Sequence, residues 1–226
     1  MTRAPLAIVA GSGPGFGRYL VKSLNAHGYN AYGLNRSVTA GDDERMLRVD
    51  LSDASQVQSE IKSLVGAYGA PKLVVHNPAK LLIAPFEETR SEDFEATWRA
   101  MVLSAVHLAK EVLPAMVSSG GGTFIVSGAT ASLRGGARFS AFASAKAALR
   151  TLTQSLAKEY GPKGVHVAHV ILDGILDTGA SRELHDMDPD RMMKLEDVAQ
   201  TYLALAAQPR SAWTFEMDLR PQGEAF

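Results

Sequence analysis

The run Ala10-Gly11-Ser12-Gly13-Pro14-Gly15-Phe16-Gly17 places four glycines within seven residues, between a short apolar stretch and a segment of helical periodicity. Glycines at such a junction let the chain turn sharply and approach a ligand closely, while the free N–H groups at the start of the next helix attract an anion. A flexible strand-to-helix turn would account for one or two of them. Four make a pyrophosphate cradle, and so a dinucleotide site, the stronger reading. Asn35 and Arg36 close the second apolar run. An acid there would accept from a ribose 2′-hydroxyl, whereas a neutral residue followed by a cation suits a 2′-phosphate and favours NADP(H) over NAD(H). The alternative for Arg36 is an ordinary solvated residue ending a strand.

The spacing Gly11-x-x-x-Gly15-x-Gly17 is not the common Gly-x-Gly-x-x-Gly fingerprint, because Phe16 stands where the third glycine would fall. It resembles the Thr-Gly-x-x-x-Gly-x-Gly pattern of the short-chain dehydrogenase/reductase family, with Ala10 replacing the threonine. The likeness continues through Asp50-Leu51, His76-Asn77-Pro78-Ala79 in place of Asn-Ala-Gly, Val112-Leu113-Pro114-Ala115-Met116, Lys146, and Asp173-Gly174 in place of Pro-Gly. This resemblance implies that Gly11, Ser12, Gly13, Gly15, Phe16 and Gly17 cradle the cofactor, with Asp50 and Leu51 at the adenine edge. It further implies Asn77 beside the adenosine ribose, Lys146 on the nicotinamide ribose, and Gly174, Ile175 and Thr178 toward the carboxamide and pyrophosphate. Asn77 has the alternative of tying adjacent strands together, and Thr178 that of capping a helix.

In that family a tyrosine exchanges a proton with the substrate oxygen, and a lysine one helical turn later lowers the tyrosine pKa. Here the segment reads Ser140-Ala141-Phe142-Ala143-Ser144-Ala145-Lys146, so the lysine is present and Phe142 stands at the tyrosine position. The same register puts Ala129 at the family's serine and Met101 at its asparagine. Three polar positions have become apolar together, which suggests a site repacked to avoid half-satisfied buried groups. Thr130, Ser127, Ser144, Lys146 or a water would then have to supply the proton. Thr130 and Ser127 fall at the end of a central strand, where ligands bind in doubly wound sheets, although each hydroxyl could instead bond its own turn. Two functions stay open: an oxidoreductase acting on a small carbonyl or alcohol, and a cofactor-binding sensor or scaffold without turnover.

These residues need a scaffold, and the chain supplies the pattern of one. Short apolar runs at Leu6–Ala10, Asn30–Leu34, Met46–Val49, Leu73–His76, Gly122–Val126, Val165–Leu172 and Phe215–Leu219 suit strands buried on both faces. Helical periodicity over Gly15–His27, Ala54–Tyr68, Ser91–Ser118, Ala137–Tyr160 and Leu195–Ala206 alternates with them. The expectation is an α/β fold with a doubly wound parallel sheet, a Rossmann-type three-layer sandwich, in one domain over residues 1–226. Residues 177–194, with Gly179, Asp188-Pro189 and Met192-Met193, read as a mobile segment over a pocket or as a surface connection.

Composition excludes several classes. Hydrophobic residues make up 46% and charged residues 21% of the 226, and the net charge is -1, so a sizeable core is available and no basic footprint for nucleic acid is present. The absence of cysteine removes disulfides and thiolate metal sites, and the six histidines lack ligand spacing. Histidines 76, 107, 166 and 169 sit in apolar contexts and read as core or surface residues rather than bases. The Met1–Pro5 start lacks signal-peptide character, and no run reaches the roughly 20 apolar residues of a membrane span. The expected partner is a small molecule, the expected location cytoplasmic, and the expected assembly a homodimer or homotetramer, with Trp213–Leu219 as an aromatic interface strand.

Overall fold

The computed structural model describes residues 3–38 and 43–224; Met1 and Thr2 of the N-terminal stretch lie outside the described residues. Among the described residues seven strands form one sheet: β1 (Leu6–Ala10), β2 (Asn30–Asn35), β3 (Met46–Arg48), β4 (Leu73–His76), β5 (Gly122–Ser127), β6 (Val165–Leu172) and β7 (Glu216–Leu219). Their order is β3-β2-β1-β4-β5-β6-β7 and every pairing is parallel. Strand order reverses between β1 and β4. Crossovers leave the sheet in opposite directions there, which opens a crevice beyond the carboxyl ends of Ala10 and His76.

Helices α1 (Phe16–Ala26) and α7 (Leu195–Ala206) cover one face, with Leu20, Leu24, Ala199 and Tyr202 packed on Val9, Val75 and Ile125. On the other face α2 (Ala54–Tyr68), α4 (Ser104–Ser118) and α5 (Ser140–Tyr160) pack Ile61, Leu108, Val112 and Leu149 on Ile8, Val74 and Phe124. Each strand feeds both layers because successive side chains point to opposite faces, so β1 is buried at all five positions.

The long helix after β4 departs from the expected single span. It runs as α3 (Ser91–Trp98), a π turn over Arg99–Leu103, and α4. The Ser104 N–H reaches back five residues to the Arg99 carbonyl and widens the helix around Met101. By length and composition Ser91–Ser118 could cross a bilayer, contrary to the sequence expectation. Half of its most apolar window is nevertheless buried, with Leu108, Val112, Leu113 and Met116 at 1% exposure or less. Its apolar stripe belongs to the sheet.

Helix α5 starts three residues later than its periodicity suggests, because Arg138 takes a left-handed φ of 69° and Phe139 becomes the cap. Residues 177–194 form a short helix α6 (Gly179–Leu184) and a 3-10 turn over Pro189–Arg191. Both ends of this segment are pinned, since Asp177 N donates to the Met193 carbonyl and Met193 N to the Ile175 carbonyl.

Candidate active site

The glycine turn joins β1 to α1 at the crevice. Gly11 has φ 83°, and a Cβ there would lie 2.6 Å from Pro78 N, so it lets the turn press against the end of β4. A Cβ on Gly17 would collide with the Gly11 carbonyl oxygen. These two glycines are required by the protein's own packing. Gly13 is different: a Cβ there would meet only the Asn35 amide, at 3.8 Å, so space is left above the turn. Gly15 caps α1 with φ 139°, a conformation that favours glycine.

The start of α1 has no side-chain cap and no acidic residue in its first turn, whereas Asp53 caps α2 by accepting from Ser55 N and Gln56 N. An uncapped N-terminus beneath a glycine turn presents N–H donors and a positive dipole end to an external anion. Phe16 contributes only backbone to such a site, since its ring is buried edge-on against Tyr202 at 5.1 Å. Ser12 is likewise turned inward, its buried hydroxyl wedged against Gly33.

A cleft of about 450 Å³ beside the turn brings together Gly13, Asn35, Arg36, Asp50, Leu51 and Asn77. Arg36 is exposed there, and Lys80 and Arg99 line the same cleft. Asn77 also ties the strands: its amide donates to the Gly11 carbonyl at 3.2 Å. Thr178 caps α6 by accepting from Ser181 N, and it lies beside Gly15 along a second opening.

Two of the three positions that the sequence resemblance assigns to proton transfer, Ala129 and Phe142, lie on a third pocket, of about 480 Å³, beyond the ends of β5 and β6. Ala129, Thr130, Phe142, Gly174 and Ile175 line it, together with Asp173. Met101 does not reach it; this residue has no exposure and belongs to the core within the π turn. Lys146 is buried at 3% exposure, donates to the Ser127 carbonyl at 2.8 Å, and lies 5.8 Å from the centre of the Phe142 ring. Burial without a carboxylate partner pushes its ammonium down to about 8.

The two hydroxyls proposed from sequence part company. Ser127 Oγ lies 2.9 Å from the Tyr202 hydroxyl in the layer that carries α7, so its side chain faces away from Lys146. Thr130 heads a 3-10 turn over Thr130–Ser132 and donates to Asp173 Oδ1, while Asp173 Oδ2 accepts from Arg220 at 2.9 Å. Sequence reasoning treated Asp173 only as a variant of a Pro-Gly turn. Its charge at the carboxyl end of a central strand was the signal available.

Two buried histidines flank the site. Ser104 Oγ donates to the Ala100 carbonyl and so accepts from His76 Nε2, at 2.8 Å, leaving His76 Nδ1 without a partner. Burial, aided by the Lys146 charge, lowers His76 to about 3. His169 donates from Nδ1 to Glu216 at 3.0 Å, and burial outweighs that carboxylate to hold it near 4. Both are neutral at physiological pH, as core residues should be. Among the described residues no cluster of ligating side chains could hold a metal ion.

The short chain dehydrogenase family profile matches residues 5–189 of this sequence. L-xylulose reductase from Bos taurus is 28% identical over 228 aligned positions, covering 92% of this chain and 91% of that protein. A crystal structure of a short-chain dehydrogenase from Rhodopseudomonas palustris is 30% identical, with a TM-score of 0.78 over 98% of this chain and 100% of that one. An alcohol dehydrogenase from the archaeon Thermococcus sibiricus, solved with 5-hydroxy-NADP, shares the fold at a TM-score of 0.86 and 20% identity, over 98% of each chain. Parallel sheet, glycine turn and buried lysine therefore define a nucleotide-binding oxidoreductase fold, and the chain belongs to the short-chain dehydrogenase family. Members of that family use NAD(P)(H).

Proposed function

We propose that this protein is an NADP(H)-dependent oxidoreductase of a small carbonyl or alcohol, with a proton-transfer site that departs from the family's. One observation carries the reading: an uncapped α1 under an open glycine turn shares a crevice with Arg36 and Asn35. Bound there, the nicotinamide would supply or accept a hydride. The N–H groups of the α1 first turn would hold the pyrophosphate, and Gly13 and Gly15 would leave room for it. Arg36 would meet the 2′-phosphate, Asp50 and Leu51 the adenine edge, and Asn77 the adenosine ribose. Lys146 would hold the nicotinamide ribose, steered by the Ser127 carbonyl, with Gly174, Ile175 and Thr178 on the remaining side.

In this reading Phe142, Ala129 and Met101 occupy the family's tyrosine, serine and asparagine positions. Phe142 shapes the pocket but carries no exchangeable proton, which leaves Thr130 as the hydroxyl on the pocket wall. A second reading, nucleotide binding without turnover in one 226-residue domain, is favoured by Met101, whose complete burial removes any polar relay at that position. Residues 177–194 would move over the pocket in either case, and the assembly would be a homodimer or homotetramer in the cytoplasm. Fluorescence titration with NADPH and NADH tests the nucleotide assignment, and tighter binding of NADH would overturn the stated preference. A panel of small carbonyls and alcohols then separates turnover from binding alone.

A further inference from the structure

Three residues stand beyond the carboxyl ends of three adjacent strands: Thr130 three residues past β5, and Asp173 and Arg220 directly after β6 and β7. The geometry points to a proton-accepting relay, Thr130–Asp173–Arg220, that makes this pocket a site for alcohol oxidation in place of the absent phenol. This deepens the oxidoreductase reading and rests on it.

Direction follows from the hydrogen bonds. Thr130 Oγ1 already donates to Asp173 Oδ1, so its lone pairs, not its proton, are available to a ligand in the pocket it lines. Asp173 is an acceptor at both oxygens, with Oδ2 on Arg220 at 2.9 Å, and its side chain is 9% exposed. Arg220 is itself held by Asp218 at 2.6 Å, so the guanidinium stays against the carboxylate. A group arranged this way takes protons rather than giving them.

An alcohol in the pocket loses a hydride from carbon to oxidised nicotinamide as co-reactant, and its hydroxyl proton passes to Thr130 Oγ1. The Thr130 proton passes at once to Asp173 Oδ1, leaving a carbonyl product, an intact threonine and a neutral carboxyl that returns its proton to solvent. The other walls carry Ala129, Phe139, Phe142, Leu172 and Ile175 beside the charged Arg134 and Glu224, so the alcohol expected is a small secondary one with at least one apolar substituent.

The test uses the whole protein, NADP+ and NAD+, and a panel of secondary alcohols. Asp173→Asn and Thr130→Val should each lower kcat about 100-fold, the lower range for a positioned proton acceptor, with KM little changed. Thr130→Ser, which keeps the hydroxyl, should retain most of the rate, and added formate should restore part of the rate of Asp173→Ala. Infrared difference spectra of the nucleotide-free protein, unaltered minus Asp173→Asn, isolate the Asp173 carboxylate band. Thr130→Val should shift that band and Thr130→Ser should not. If nucleotide binding fails in the unaltered protein, the oxidoreductase reading falls and the relay with it. If nucleotide binds and alcohols are oxidised but Asp173→Asn keeps its rate, or if the band does not move in Thr130→Val, only the relay is overturned. Nucleotide binding without oxidation of any alcohol also overturns it.

Discussion

The crevice between β1 and β4 and the pocket beyond β5 and β6 are built at the same end of the same sheet by opposite means. In the first, backbone does the shaping: two glycines are fixed by internal packing, and Gly13 leaves open space below exposed cations. In the second, side chains decide. A lysine is buried on a carbonyl, an apolar ring stands one helical turn before it, and one carboxylate collects a hydroxyl and a guanidinium. A site made of backbone and dipoles tolerates changes in its neighbours, whereas a site of buried polar side chains stands or falls with each partner.

The largest effect should come from separating the roles of the glycines. Gly17→Val should prevent folding, seen as loss of the cooperative thermal transition, because its Cβ would overlap the Gly11 carbonyl oxygen. Gly13→Val meets only the Asn35 side chain and should fold normally, yet weaken nucleotide binding by about 100-fold or more by filling the space above the turn. Normal affinity in folded Gly13→Val would break the comparison, since the crevice would then not be shaped by this turn.

Next in size is the buried charge. Burial lowers the folded Lys146 pKa to about 8 from an ordinary 10.5, so below pH 8 the folded state carries a charge that burial disfavours. Between pH 8 and 10.5 the unfolded chain binds more protons than the folded one, and stability should rise with pH across that window. Lys146→Met should raise stability at pH 7 by up to roughly 3 kcal/mol and flatten the rise, because a shift of this size is worth that much differential interaction. Nucleotide affinity should fall in the same variant. Chemical denaturation at pH 7, 8.5 and 10 checks both signs.

Arg36 should have a smaller effect, confined to the crevice. It is exposed, so Arg36→Asp should leave the fold intact and reverse the cofactor preference by about tenfold, exchanging an attraction for the 2′-phosphate for a repulsion. Paired NADPH and NADH titrations read this directly, and an unchanged ratio would mean that Lys80 or Arg99 recognises the phosphate instead.

The smallest effect is expected from restoring the phenol alone. Phe142→Tyr puts a hydroxyl near the Lys146 charge, but Ala129 and Met101 still offer no partners, so steady-state carbonyl reduction should gain little. Adding Ala129→Ser and Met101→Asn should give measurable NADPH-dependent ketone reduction. The asparagine should also lower the melting temperature, because Met101 has no exposure and its replacement is polar. A large gain from the single substitution would show that the pocket needs no supporting groups.

Much of the scaffold was legible in the chain itself. Alternation of short apolar runs with helical periodicity gave all seven strands and three of the helices to within a residue or two, since burial on both faces leaves an unbroken apolar signature. The expected start of α5 was off because a single left-handed residue, Arg138, overrides a periodic pattern. The π turn was illegible, because an extra residue in one turn leaves the apolar stripe almost unchanged.

By itself the sequence determined the parallel sheet, the glycine turn and the residues around the crevice, because these depend on neighbours in the chain: turn, cap and strand end lie within a few residues of one another. Only tertiary structure decided the fate of the hydroxyls. Ser127 and Thr130 are three residues apart, yet one meets Tyr202, 75 residues away, on one layer and the other meets Asp173, 43 residues away, beside the pocket. Strand pleat turns Ser127 toward the α7 layer, the 3-10 turn carries Thr130 past the strand end, and sheet order sets which distant residue waits at each place. No local pattern carries that information.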